Sequence, residues 1–471
     1  MDADALLYAR IQFAFTVSFH IIFPAFTIGL SAFIATLLVM WQRTGIERYR
    51  TLAKFWTKIF AVSFAMGVVS GIVLSYQFGT NWSRFSEVVG NVIGPLIGYE
   101  VLTAFFLEAT FLGVMLFGWN RVPPWLHVTS AILVAIGTLI SAFWILSANS
   151  WMQSPAGFEM RDGIAVPVDW LQVVFNPTFP YRFVHMVIAC YLTTSFVVVA
   201  VGARYLLAGR DEAQARTMLK MGLGMAIVLA PLQAVVGDLH GLKTLEHQPA
   251  KIAALEAHWE PQAEVSAEGR GVPLVLFALP NEREERNDFE ITIPRLGSLI
   301  LTHTWGGTFP GLKDFAPEDR PPVWGPFIGF RIMVGLGLLM IAVAAWGVIE
   351  WARGALGRSR FFLTVASWMW PAGFVALLSG WVVTEQGRQP WIATGVLRTA
   401  DAASPVPGTS VLSTLILFVV VYVVVFGIGV LYINRLINRG PAVHEPEPEG
   451  VPNRPLSAAE DAGKEVFGGT E

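Results

Sequence analysis

Five ionisable side chains, His20, Glu100, Glu108, His185 and Glu385, interrupt long apolar runs of this sequence, and Met333 lies in another such run. An ionisable group in hydrocarbon is costly unless a partner or cofactor satisfies it, so each is a candidate functional position. Imidazole, thioether and carboxylate are axial ligands that proteins offer to haem iron, and His or Met suits a low-spin electron carrier. His185 and Met333 stand at similar depth on different runs and could clamp one iron from both faces, while His20 is an even match for a ligand or a core histidine. Taken singly, His185 and Met333 also have ordinary readings, as a histidine bonded to a carbonyl and a methionine filling a core gap. Glu100 and Glu108, eight residues apart, fall roughly on one side of a helix, about 12 Å apart along its axis. Carboxylates so placed read as steps of a proton relay, with a helix-packing hydrogen bond as the ordinary alternative. Ser141 and Asn149 repeat that spacing and could continue the path, although small polar residues are also common at membrane helix contacts.

The elements that must position these groups are membrane spans. Of the 471 residues, 54% are hydrophobic and 14% charged, against about 25% charged in soluble domains; mean hydropathy is +0.55. A water-soluble fold could not cover so much apolar surface with so few charges, which excludes an ordinary soluble enzyme and a disordered chain. Nine runs are long enough to cross a bilayer as helices: 13–41, 53–78, 92–119, 126–148, 181–206, 217–237, 326–350, 361–386 and 409–434. The expected fold class is all-α, a polytopic membrane bundle of antiparallel neighbours. Basic residues set its orientation. Arg43, Arg48, Arg50, Lys54 and Lys58 fill one loop, Arg204, Arg210, Arg216 and Lys220 another, and Arg353, Arg358 and Arg360 a third, with Arg435 and Arg439 after the last run. The alternate loops hold only Arg84, then Arg161 and Arg182, then Arg388 and Arg398. The N-terminus is therefore expected outside and the C-terminus inside. That orientation puts His20, Glu100, His185, Met333 and Glu385 together in the outer half of the membrane, and their shared depth strengthens the case for ligation.

The chain divides into helices 1–6 over 1–237, a long outer segment over 238–325 with an acidic middle, helices 7–9 over 326–437, and a Pro- and Glu-rich tail over 438–471 expected to be disordered. A segment like 238–325 is usually functional or flexible. A net charge of −3 gives no footprint for nucleic acid, and the single Cys190 allows no intrachain disulfide or thiolate cluster. The first residues lack the basic segment of a signal peptide. His240 and His247, seven apart in the outer segment, form only a weak metal-site pattern, and His127 and His444 read as interfacial and tail residues.

The most specific stretch is Gly380 to Trp391, GWVVTEQGRQPW. Its GWxxxExGRQPW pattern resembles that of subunit I of cytochrome bd-type quinol oxidases. The likeness extends in order to RIQFAFTVSFHIIFP over 10–24, FFLEATFLG around Glu108, QPAKIAALEAHW over 248–259 and FRIMVGLG around Met333. It covers nearly the whole chain apart from the acidic middle of the outer segment and the tail. The resemblance implies that His185 and Met333 hold the low-spin haem b558, and that His20 and Glu385 ligate the two high-spin haems, b595 and d, in an order left open, with Glu100 beside that pair. Arg10, Arg331 and Arg388 resemble cations near the haems and their propionates, and Trp381 resembles a tryptophan placed between haems. Lys251 and Glu256 match positions implicated in quinol oxidation within the family's Q loop. The segment 238–325 is short for this family. The stretch after GRQPW looks most like the cyanide-insensitive branch, where a high-spin b haem can stand in place of haem d; both stay open. The family also implies a second integral subunit, in some members a small accessory subunit, and the bacterial cytoplasmic (inner) membrane.

Residues and resemblance converge on one expected scheme. A membrane quinol is oxidised at the outer face, where its protons must leave and Glu256 is the obvious base. From position alone, Lys251 and Glu256 would equally suit the solvated face of a short amphipathic helix. Electrons pass by His185 and Met333 to the high-spin pair, where O2 is reduced to water with protons drawn from inside through Glu108 and Glu100, aided by Ser141 and Asn149. Charge separation then generates a proton motive force. Two other classes match parts of the pattern: a dihaem anchor that passes quinol electrons to a partner without reducing O2, and a proton-coupled transporter with structural histidines.

Overall fold

The structure, a computed structural model, describes residues 3–441. Among them, nine helices are long and apolar enough to cross a membrane. They are α1 (Ala3–Thr44), α2 (Glu47–Thr80), α3 (Ser83–Phe117), α4 (Pro124–Gln153), α5 (Phe179–Leu207), α6 (Glu212–His247), α7 (Trp324–Ala352), α8 (Arg360–Gln386) and α9 (Gly408–Arg439). The connections are short where the sequence supplies a breaker. α1 closes on Gly45, whose φ of +68° a side chain would strain, and Gly45 N donates to Trp41 O at 2.8 Å.

Several bounds differ from the sequence reading. α1 begins at Ala3 rather than near 13, because nothing in its polar first turns stops a helix. α6 runs on to His247, ten residues past its expected end at 237. It stops only where Pro249 disfavours a helical Gln248, whose φ of −141° and ψ of 61° lie outside the helical region. The segment between α6 and α7 therefore starts at 248. Of the expected tail 438–471, the first positions close α9, and the rest, with His444, lies outside the described residues.

Between α4 and α5, strands β1 (Phe158–Arg161) and β2 (Ile164–Pro167) form a hairpin. It turns on Asp162-Gly163, both at positive φ, the geometry that matches strand twist. The segment from 248 to 323 is folded throughout. It holds short helices Pro249–Glu256, Gln262–Glu268 and Leu296–Thr302 and a hairpin of β3 (Leu274–Asn281) with β4 (Arg286–Ile293). Its acidic residues are tied to basic ones, Arg270 to Glu260 and Glu268, Arg286 to Glu284 and Asp288, and Arg320 to Glu285. Trp259, Val275, Ala278 and Leu312 form an apolar floor against Phe327 of α7. A final short pair, β5 (Trp391–Ala393) and β6 (Leu397–Arg398), joins α8 to α9.

Two of the spans are interrupted. α3 contains a π turn over Val101–Phe105, and α8 is broken at 369–371, where Pro371 supplies no N–H. α1 and α5 are the most buried spans and α9 the least. In lipid no hydrophobic force draws helices together, so close packing of small residues and interhelical hydrogen bonds must do so. Gly29 shows the constraint: a Cβ there would lie 2.4 Å from Thr194 Oγ1 and 2.8 Å from the Cys190 carbonyl. Thr194 Oγ1 donates across the same contact to Phe26 O at 2.9 Å. Gly29→Val should therefore cost about 1–3 kcal/mol by forcing α1 from α5, whereas Gly79→Ala, where nothing lies within 4 Å, should leave thermal stability nearly unchanged. Equal melting curves for the two variants would refute this packing.

Candidate functional site

At the end of the bundle that carries the 248–323 segment, Glu385 sits one residue from the end of α8. Its carboxylate accepts hydrogen bonds from Arg388 Nη2 and, at 2.9 Å, from Asn149 Nδ2 of α4. Asn149 Oδ1 accepts in turn from Arg182 Nη2 of α5 at 2.7 Å. Three helices are thus joined through one carboxylate. Lys251 enters from the loop and is only 3% exposed. Its ammonium donates to Gln153 Oε1 and, at 2.8 Å, to Gln248 Oε1, and its stem lies on Gly387, where a Cβ would come within 2.7 Å of Lys251 Cγ. Burial, reinforced by Arg182 and Arg388 and opposed by Glu385, holds Lys251 well below the ordinary lysine range. Positive groups therefore outnumber the carboxylate here, and Arg388 Nε and Nη1 and Arg182 Nε are buried with no hydrogen-bond partner.

Three of the four candidate ligands share a second feature: His20, His185 and Met333 each face a glycine of a neighbouring helix. A Cβ on Gly71 would stand 3.1 Å from His20 Cε1, one on Gly237 3.2 Å from His185 Cε1, and one on Gly380 2.9 Å from Met333 Sδ. His20 Nδ1 is 3.0 Å from Ser70 Oγ. The Gln233 amide donates to His185 Nε2 at 3.2 Å, while His185 Nδ1 is buried with no hydrogen-bond partner. His240 packs against His185 with ring centroids 5.5 Å apart, and His247 Nδ1 donates to Lys243 O, so these two do not converge on one metal. His127 is buried, with Nε2 donating to Met115 O at 3.0 Å.

The two carboxylates of α3 meet one face of α4. Ser141 Oγ donates to Glu100 Oε1 at 2.8 Å. Glu108 packs on Gly137, where a Cβ would lie 2.7 Å from Glu108 Cγ. Eight residues of regular α-helix would leave the pair about 80° apart. The π turn between them takes up one residue without advancing the face, which reduces the offset to about 20°. Glu108 is 5% exposed and its Oε1 has no hydrogen-bond partner. Asn149, expected on the same path, instead joins Glu385 and Arg182.

Glu256 and Arg331 form a second pair. Arg331 Nη2 donates to Glu256 Oε2 at 2.8 Å, Nε to Val275 O at 2.7 Å and Nη1 to Leu255 O at 3.3 Å. Glu256 is 5% exposed, so neither it nor Lys251 lies on a solvated helix face. Burial pushes its carboxyl above the usual range, and Arg331 draws it partly back. Trp381 packs among Ile21, Ala25 and Leu377. Arg10 is exposed at a cavity of about 460 Å³ beside Gln389, Pro390 and Arg320. Sequence reasoning missed Arg182, Gln153, Gln233 and Gln248. Arg182 looked like a loop charge, although it stands three residues before His185, and neutral amides escape a search for ionisable groups.

A family model for cytochrome bd terminal oxidase subunit I matches residues 8–441. The chain belongs to that family. It is 34% identical to cytochrome bd ubiquinol oxidase subunit 1 of Bacillus subtilis (strain 168), over 92% of this chain and 94% of that protein. It is 31% identical to cytochrome bd-II ubiquinol oxidase subunit 1 of Escherichia coli (strain K12), over 94% of this chain and 98% of that one. Among solved structures it matches the bd oxidase from Geobacillus thermodenitrificans with a TM-score of 0.85 and 31% identity, covering 93% of this chain and 99% of the other. Membership makes this chain a multi-pass membrane subunit of a terminal oxidase whose family binds haem. The residues fit such a group: unpartnered guanidinium and imidazole nitrogens are buried at the candidate site, and glycines leave room against His20, His185 and Met333.

The Glu256–Arg331 pair makes a testable stability claim. Arg331→Gln leaves the buried carboxyl without its cation, so Glu256 should favour its protonated form still more strongly. A carboxyl whose folded pKa is raised loses its stabilising share as pH rises through that pKa. The variant should therefore melt near wild type in acid and fall behind as pH increases, by about 3–5 kcal/mol once the carboxylate is ionised. Adding Glu256→Gln should restore stability; a loss that does not vary with pH would refute the account.

Proposed function

We propose that this chain is the catalytic subunit of an electrogenic quinol:oxygen oxidoreductase in the bacterial cytoplasmic membrane. It oxidises quinol at the outer face and reduces O2 to water with protons taken from inside. The observation that carries this reading is the buried cluster in which Glu385, Arg388, Asn149, Arg182 and the loop residue Lys251 meet. A non-oxidase carrier would not need a carboxylate buried among cations at that point. The names of the relatives, a ubiquinol oxidase in two and a putative menaquinol oxidase in a third, support quinol as the electron donor.

In this reading His185 and Met333 hold haem b558, and His20 and Glu385 hold the two high-spin groups, b595 and d or a high-spin b haem in place of d. Haem supplies one-electron chemistry at iron and, where an axial position is open, a place for O2. Everything else falls to side chains. Gln233 and Ser70 orient the imidazoles of His185 and His20. Arg388 and Arg182, with Arg10 and Arg331 nearby, offer guanidinium N–H groups to carboxylates of the bound group. Trp381 fills the space between sites. Glu256 receives a quinol proton, which its raised pKa suits, and the Arg331 contact keeps the ionised form accessible. Lys251 holds the loop on α8. Glu108 and then Glu100, with Ser141, hand protons up one face of α4, and Asn149 orients Glu385 rather than carrying protons. Protons taken from one side and released on the other generate a proton motive force. A second integral subunit completes the oxidase, with a small accessory subunit as a further partner.

Oxygen uptake by the purified oxidase with a soluble quinol tests the function directly; quinol oxidation without oxygen consumption would overturn it in favour of a carrier. Met333→Leu should abolish the low-spin b spectrum while leaving the high-spin bands, and an unchanged spectrum would sink the ligand assignment. Glu108→Gln should slow oxygen uptake at least tenfold with all haem retained, in keeping with loss of a proton-transfer group. Wild-type turnover in that variant would remove the relay.

A further inference from the structure

At the opposite end of the bundle a cavity of about 280 Å³ opens between the start of α6 and the α7–α8 connection, lined by Arg216, Leu219, Lys220, Trp351, Leu356 and two glycines. Arg216 and Lys220 are four residues apart and so project from one face of α6. Lys220 Nζ stands 5.7 Å from the Trp351 ring. The guanidinium of Arg216 lies over Gly357, where a Cβ would come within 2.7 Å of Nη1; its one ion-pair partner, Glu212 at 3.4 Å, is itself exposed to solvent. Leu219 and Leu356 are buried and form the floor. The two stretches that frame the cavity, 204–220 across the end of α5 and the start of α6 and 351–360 across the α7–α8 connection, carry Arg204, Arg210, Arg216, Lys220, Arg353, Arg358 and Arg360 against Asp211, Glu212 and no other acid. The surroundings therefore favour an anion. Beside the opening, Ile349, Trp351 and Phe361 present exposed apolar surface continuous with the spans.

We propose that this cavity is a headgroup site for an anionic phospholipid. Arg216 and Lys220 bind the phosphate, Gly357 leaves the room it needs, Trp351 marks the level of the interface, and the acyl chains lie on the apolar face of α7 and α8. A cationic pocket between spans, rimmed by an indole and open to an apolar surface, matches that ligand in all three parts. A free phosphate ion would use the cations alone.

The experiment is a titration of the purified, detergent-solubilised oxidase with phosphatidylglycerol, read by native mass spectrometry. Each basic residue near a lipid phosphate contributes about 1 kcal/mol. Arg216→Gln with Lys220→Gln should thus weaken the tightest lipid about thirtyfold, or about 2 kcal/mol at 1.4 kcal/mol per tenfold. Gly357→Leu keeps both cations but fills the cavity and should lose the lipid as well. Phosphatidylcholine should bind far more weakly, and millimolar inorganic phosphate should not displace phosphatidylglycerol. Unchanged haem spectra certify that the variants are folded. Equal affinity in the double variant or in Gly357→Leu, equal binding of phosphatidylcholine, or displacement by inorganic phosphate would each overturn the proposal.

Discussion

A charge in hydrocarbon must be paired, and in this chain that constraint is concentrated on Glu385. One carboxylate at the end of α8 is held by Arg388 of its own segment and by Asn149 of α4, which in turn engages Arg182 of α5. Lys251 closes the cluster from the loop through Gln153 and Gln248. Removing one member leaves the others buried without compensation, so the ends of three spans and the 248–323 segment are fixed by one network. The same sum leaves positive charge in excess, with guanidinium nitrogens that lack partners. A buried cationic excess is stable only beside an anion. A haem carries carboxylates of its own, so the proposed cofactor would complete the electrostatics as well as supply the chemistry.

The arrangement of α3 answers a related problem. Two carboxylates that serve one path must face one neighbour, but the α-helical period does not return to the same face after eight residues. The π turn at Val101–Phe105 corrects the phase, and α4 answers with Gly137 and Ser141, one turn apart, beneath Glu108 and Glu100. Glycine gives the lower carboxylate room and serine gives the upper one a donor. A π turn costs hydrogen-bond geometry and is found mostly where function demands it. Its position between Glu100 and Glu108 agrees with a functional use of both.

Much of this was legible in the sequence because hydrocarbon penalises polar groups strongly. Nine apolar runs match nine helices among the described residues, and Glu385, one of the ionisable residues inside those runs, meets Asn149 and Arg388 at the loop end. What escaped detection follows from weaker penalties. Gln153, Gln233 and Gln248 carry no charge, so they did not stand out, yet they orient Lys251 and His185. Arg182 lies close enough to a span end to pass for an orientation signal. The run past 237 in α6 is polar enough to look like a loop, but helix ends are set by breakers rather than by hydropathy, and the first breaker is Pro249. Asn149 repeated the spacing of Ser141, yet depth along the helix outweighed spacing and put it with Glu385. The segment with the acidic middle read only as functional or flexible; its ion pairs and the apolar floor on Phe327 show how it folds.

The short helix Pro249–Glu256 carries the last step. Its Lys251 rests on Gly387, two residues beyond Glu385, and its Glu256 pairs with Arg331, two residues before Met333. One helix of eight residues therefore touches both segments that carry proposed ligands from α7 and α8. Had the loop met the bundle through exposed lysine and glutamate side chains, solvent would have screened each contact to a fraction of a kcal/mol. Burial of both makes each contact strong and its loss expensive. A displacement of this helix would then be felt at both proposed ligand segments.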